Sequence, residues 1–118
     1  MREEIEKYIK ENYDILQEYP WSKFPNYTTF KHKSNKKWFA LIMDVPFKNL
    51  KINKENIVDV INLKNVPEMI GGLRKEEGIL PAYHMNKEYW ITILLDGTVS
   101  KEKICELIDI SYELTNKI

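Results

Sequence analysis

Cysteine is almost missing from this chain. A single Cys105 cannot close an internal disulfide, which fits a reducing, cytoplasmic setting. Histidine is as sparse, with only His32 and His84, and no Cys or His pair has the spacing of zinc ligands. No apolar run approaches the ~18 residues of a membrane span, and the acidic start Met1-Arg-Glu-Glu-Ile-Glu6 lacks the apolar stretch of a secretory signal, so no membrane partner is expected. Glycine is scarce too. Gly71-Gly72 lacks the Lys-Ser/Thr that completes a phosphate loop. Net charge is nil, 18 basic against 18 acidic residues, which argues against an overall basic coat for nucleic acid. No nucleophile–base pair, metal cluster or cofactor loop is legible. An enzyme therefore ranks below a binding module, and no cofactor, metal or catalytic residue is assigned.

What is present suits one compact domain spanning residues 1–118, with a hydrophobic share of 43% to build a core. Residues 2–16 predict a helix with Ile5, Tyr8, Ile9, Asn12 and Leu16 near one face. Its acids (Glu3, Glu4, Glu6, Glu11, Asp14, Glu18) read as a solvated side rather than a cation surface. Pro20 and Pro25 break the chain around Trp21 and Phe24, an aromatic loop pinned on the core. Alternation over 27–33, a Ser34-Asn35 turn with Asn in the left-handed region, and an apolar run over 36–45 predict a hairpin whose second strand is interior. Residues 57–64 predict a strand with Ile57, Ile61 and Leu63 on one side. Asn65 to Glu68 predicts a capped helix start, with a helix reaching about Lys75. Short strands at 79–84 and 88–95 and a helix at 101–116 capped by Ser100 complete the order. The fold class is α+β: a mainly antiparallel sheet of four to five strands with helices packed on one side.

Zero net charge hides a segregation. Residues 23–54 hold eight lysines and one acid, Asp44, a net +7. The densest part is Lys31-His-Lys-Ser-Asn-Lys-Lys37, where Lys31, Lys33, Lys36 and Lys37 can neutralise phosphates and Trp38 can stack on a base. Lysines at a hairpin tip also keep edge strands soluble, and on charge pattern alone that reading comes ahead. The stretch Pro81-Ala-Tyr-His-Met-Asn-Lys-Glu-Tyr-Trp90 concentrates His84, Asn86 and Lys87 in a turn. Acid–base chemistry there is set aside: Tyr83, Met85 and Trp90 read as core, with His84 and Asn86 satisfying loop backbone groups. Cys105 reads as a small buried apolar residue beside the last helix's stripe.

Several strings together resemble the MmcQ/YjbR family: Tyr19-Pro-Trp21, Phe30-Lys-His-Lys33, Lys37-Trp-Phe-Ala-Leu-Ile42, Asn62-Leu-Lys64, Pro81-Ala-Tyr-His-Met-Asn-Lys87, Trp90, Leu95-Asp-Gly97 and Ser111-Tyr112. They occur in the family's order along nearly the whole chain. The resemblance implies a bacterial-type α+β domain similar to CyaY and frataxin, with a curved antiparallel sheet. It also implies DNA binding through a "double wing" of β-hairpins. Carried onto this chain, one wing is Lys31–Lys37 with Trp38, and the second contact is His84, Asn86 and Lys87. The expected function is non-enzymatic DNA binding. The alternative is a protein-interaction or small-ligand-binding domain whose lysines serve solubility.

Overall fold

The computed structural model describes residues 1–116. The order is α1 (Arg2–Asn12), β1 (Ile15–Glu18), β2 (Thr28–His32), β3 (Trp38–Pro46), β4 (Ile57–Lys64), α2 (Pro67–Leu73), β5 (Ile79–Pro81), β6 (Trp90–Leu94) and α3 (Lys101–Thr115). A 3-10 turn at Phe47–Leu50 joins β3 to β4. The strands form one open antiparallel sheet in the order β1-β2-β3-β4-β6-β5. The α+β class and the helices on one side are as expected. The strand count is six rather than four to five, and the extra strand is β1.

β1 occupies residues expected to continue the first helix. The helix ends instead at Asn12, whose Nδ2 donates to the Tyr8 carbonyl at 2.8 Å. Tyr13 turns extended and stacks on Tyr112 of α3, ring centroids 4.0 Å apart. Its hydroxyl donates to Asp109, which also accepts from Tyr8 at 2.8 Å. Burial and the Asp109 carboxylate push both phenols up, Tyr8 to about 12, so both remain donors at neutral pH. This anchorage on α3 outweighs local helix propensity and frees Ile15 and Leu16 to pair with His32 and Lys31.

One face of the sheet carries the helices. Ile5 and Ile9 of α1, Ile70 and Leu73 of α2, and Ile104, Leu107 and Ile108 of α3 close over Phe30, Phe39, Ile42, Ile61 and Leu63. Each such side chain contributes roughly 1.5–3 kcal/mol by leaving water. Ser111 of α3 ties the layers together. It donates to the Phe39 carbonyl at 2.6 Å and accepts from the Lys64 amide at 2.9 Å. Ser100 caps α3 as expected, its Oγ accepting from the Lys103 amide at 3.2 Å. Cys105 is only half-buried against this core, and burial pushes its thiol up. Ile57 opens β4 opposite Pro46 and is 64% exposed, not aligned into the core with Ile61 and Leu63.

The expected Asn65–Glu68 capping box does not form. Asn65 is buried and its Oδ1 accepts from the neighbouring Val66 amide at 2.8 Å. Val66 takes the cap position with no side-chain bond, Pro67 starts the helix, and α2 ends at Leu73, short of Lys75. Gly78 leads into β5 at φ +87, and a Cβ there would stand 2.8 Å from Val99 Cγ2.

Among the described residues no α-helix covers the opposite face. Leu41, Met43, Val45, Val58, Val60 and Leu94 are covered by loops instead: Trp21 and Tyr27 from one side, Leu50 and Ile52 from another, Tyr83 and Met85 from a third. Phe24 of the first loop is half-exposed and stacks on Tyr27, centroids 4.7 Å apart. Among the described residues no helix is long and apolar enough to cross a membrane.

Candidate nucleic-acid interface

The basic hairpin forms, with a change in its turn. The left-handed residue is Lys36 (φ +62) rather than Asn35. Asn35 uses its side chain: Oδ1 accepts from the Lys37 amide and Nδ2 donates to the Thr115 carbonyl, both at 2.8 Å. The tip is therefore fastened to the end of α3. His32 anchors the same place from below. It is buried, its Nε2 lies 2.7 Å from Thr115 Oγ1, and its ring packs on Tyr112 and Phe39. His32 Nδ1 has no hydrogen-bond partner among the described residues, and burial lowers the pKa of the imidazole.

The strand that sequence periodicity concealed changes the charge of this hairpin. β1 and the residue before it bring carboxylates alongside: Lys31 Nζ is 2.7 Å from Glu18 and Lys33 Nζ is 2.9 Å from Asp14. Lys36 Nζ donates to the Lys33 carbonyl at 2.9 Å. Lys36 and Lys37 are exposed at the tip. The positive charge of Lys31 and Lys33 is thus partly neutralised at the wing.

The second segment is residues 82–89, and two buried side chains hold it. Asn62 and Thr92 face each other across β4 and β6. Thr92 Oγ1 donates to Asn62 Oδ1 at 2.5 Å and accepts from the Tyr83 amide at 2.8 Å. Asn62 Nδ2 donates to the Tyr83 carbonyl at 2.8 Å. Both backbone groups of Tyr83 are thus clamped, which ends β5 at Pro81 rather than 84. His84 follows in the left-handed region (φ +61), a conformation that costs a non-glycine residue roughly 1–3 kcal/mol and needs such over-determination. Asn86 closes the turn, its Oδ1 accepting from the Glu88 amide at 2.8 Å and its carbonyl from Trp90 at 3.0 Å.

Two concavities border this segment. A cleft of about 570 Å³ is lined by Asn49, Lys51, Arg74, Tyr83, His84 and Lys87 among others, with no carboxylate in its walls. Arg74 Nη1 donates to the Lys87 carbonyl at 3.4 Å and Asn49 Nδ2 to the Tyr83 hydroxyl at 3.2 Å. A second pocket of about 230 Å³ is apolar and aromatic, formed by Trp21, Tyr27, Trp38, Leu41, Met43 and Met85, with His84 as a further wall. Trp38 meets Trp21 edge to face, centroids 5.7 Å apart.

The sequence-derived residues therefore come together in part. β2 ends, β3 begins, β4 ends and β6 begins at one end of the sheet, since Lys31 pairs with Trp38 and Lys64 with Trp90. The 33–37 turn and the 82–89 loop both emerge there. Trp38 and His84 share a pocket. Lys51, Arg74, Asn62 and Thr92 were not singled out from the sequence. The signal for the last two was there: one polar residue inside each of two otherwise apolar strand stretches, Val60-Ile-Asn-Leu63 and Ile91-Thr-Ile93.

The fold is that of an α+β domain, with helices on one face of an open sheet and loops over the other. The YjbR family model matches residues 10–114. The chain is 46% identical over 114 residues to YyaQ of Bacillus subtilis (strain 168), covering 97% of each. It is 37% identical over 54 residues to YjbR of Escherichia coli (strain K12), 45% of this chain and 46% of that one. A crystal structure from Pseudomonas syringae superposes with TM-score 0.95 at 49% identity, covering 98% of both chains. Deinococcus radiodurans DR2400 superposes at 0.76 and 28% identity, over 99% of this chain and 79% of that one. The chain belongs to the MmcQ/YjbR family. The names of these relatives state no ligand or reaction.

Proposed function

We propose that this domain binds nucleic acid through its phosphates, using the Lys31–Lys37 hairpin as one contact and His84, Asn86 and Lys87 as the other. The observation that carries the reading is convergence: the two segments leave the same end of one sheet, and Trp38, next to the hairpin turn, lines one pocket with His84. Lys31 and Lys33 contribute less than their number suggests, because both already hold carboxylates, whereas Lys36 and Lys87 are exposed and meet none among the described residues. The contacts are non-covalent and the role is not catalytic. His84 lines both concavities, yet neither wall offers it a carboxylate partner.

Fluorescence anisotropy on a labelled duplex across a salt series tests this. Three neutralised phosphates predict that log affinity falls with log salt at a slope of about −2.7. Lys36→Glu with Lys37→Glu weakens binding and flattens the slope. A flat salt response, or affinity unchanged in that double variant, rejects the reading.

A further inference from the structure

We propose that the loop at 82–89 builds a site for one unpaired nucleoside phosphate, with the base in the Trp21–Trp38 pocket and the phosphate among Lys51, Arg74 and Lys87. The inference deepens the nucleic-acid reading, from which it takes its ligand class, by assigning the parts of the ligand to separate compartments.

Chemistry separates the two compartments. The larger cleft has three cations, and none of them meets a carboxylate among the described residues. Among the described residues other exposed lysines also lack a carboxylate partner; what sets Lys51, Arg74 and Lys87 apart is that all three line one concavity. Uncompensated cations gathered round a concavity favour a compact, multiply charged anion, and the Arg74 guanidinium can grip phosphate oxygens in pairs. The volume, about 570 Å³, falls within the ~300–1,000 Å³ of small-molecule sites.

The smaller pocket has the opposite character. Two indoles, a phenol and two thioethers offer π-faces and polarisable sulfur to a flat ring, and about 230 Å³ accepts a single ring system. A base still paired and stacked in a duplex cannot enter it; an unstacked one can. His84 is the wall common to both compartments, where a sugar would sit. Its left-handed backbone is fixed by the Asn62–Thr92 clamp on Tyr83 and its ring packs tilted on that of Tyr83, centroids 3.9 Å apart, so the imidazole is held between the two compartments. Arg74 and Lys87 are linked through the Lys87 carbonyl, which sets the phosphate end relative to the same loop.

Tryptophan fluorescence titration tests the assignment, with adenosine, adenosine monophosphate and inorganic pyrophosphate as separate probes. The monophosphate is expected to quench saturably and bind about tenfold or more tighter than either adenosine or pyrophosphate, a step near 1.4 kcal/mol. Arg74→Gln weakens the monophosphate about tenfold without changing adenosine. Trp38→Phe keeps the pocket filled and reduces quenching, while Trp38→Ala weakens monophosphate and adenosine alike; circular dichroism confirms that each variant folds. Pyrophosphate binding as tight as the monophosphate overturns the proposal, as does absence of saturable quenching. Duplex anisotropy on the same samples separates the two readings. Duplex binding without monophosphate binding leaves the phosphate-contact function standing and removes this site.

Discussion

At the scale of single residues, His32 has the clearest consequence. Desolvation holds its imidazole below the ordinary 6.5, an effect larger than the opposing pulls of the Tyr112 backbone and Glu113, and Lys37 lowers it further. In the unfolded chain the same ring takes up a proton as pH falls through about 6.5, while the folded one stays neutral. The unfolded state then binds more protons, so stability is lost between that value and the lower folded one. Urea midpoints should therefore fall from about pH 7.5 to about pH 5, and His32→Phe should flatten the fall. An equal slope in wild type and variant refutes this origin. The sequence marked His32 only as one face of a hairpin strand. That it would meet Thr115, eighty-three residues away, was invisible, because no local pattern encodes a contact of that range.

At the scale of elements, the Asn62–Thr92 clamp and the concealed strand matter most. Thr92→Val removes a donor and an acceptor at once, leaving the Tyr83 amide and Asn62 Oδ1 without that partner. The expected loss is roughly 1–3 kcal/mol by chemical denaturation, accompanied by faster amide exchange across residues 83–87. Unchanged exchange in that segment means the clamp does not hold the loop. Long periodic elements were legible: α3 with its serine cap, the interior strand β3, and β4 follow their hydrophobic patterns. Boundaries set by tertiary contacts were not. Helix propensity runs past Asn12, and the anchorage of Tyr13 on Tyr112 and Asp109 of α3 ends the helix there. Likewise Asn65 suggests a cap by type, yet its burial turns it to the next amide.

At the scale of the whole molecule, the balance of charge is a matter of arrangement. Two of the N-terminal acids, Asp14 and Glu18, stand against Lys33 and Lys31. Segregation along the chain is therefore partly undone in space, which counting by segment could not reveal. Asp14→Asn with Glu18→Gln releases two ammonium groups at the wing. If the duplex reading holds, affinity rises at low salt and the log–log slope steepens from about −2.7 towards about −4.5. A slope unmoved by that double change means Lys31 and Lys33 lie outside the footprint. Surface pairs of this kind contribute only about 0–1 kcal/mol to stability, so the fold should tolerate the exchange.

The uneven roofing of the sheet also bears on how such a domain diversifies. Segments 19–27, 47–56 and 82–89 cover one side with little regular secondary structure, while three helices secure the other. If the binding reading holds, changes of length or composition in those coverings reshape what is recognised, provided they still shield Leu41, Met43, Val45, Val58 and Val60. On that reading selectivity is drawn from segments that also keep half of the core dry, so it drifts only as far as the apolar cover allows.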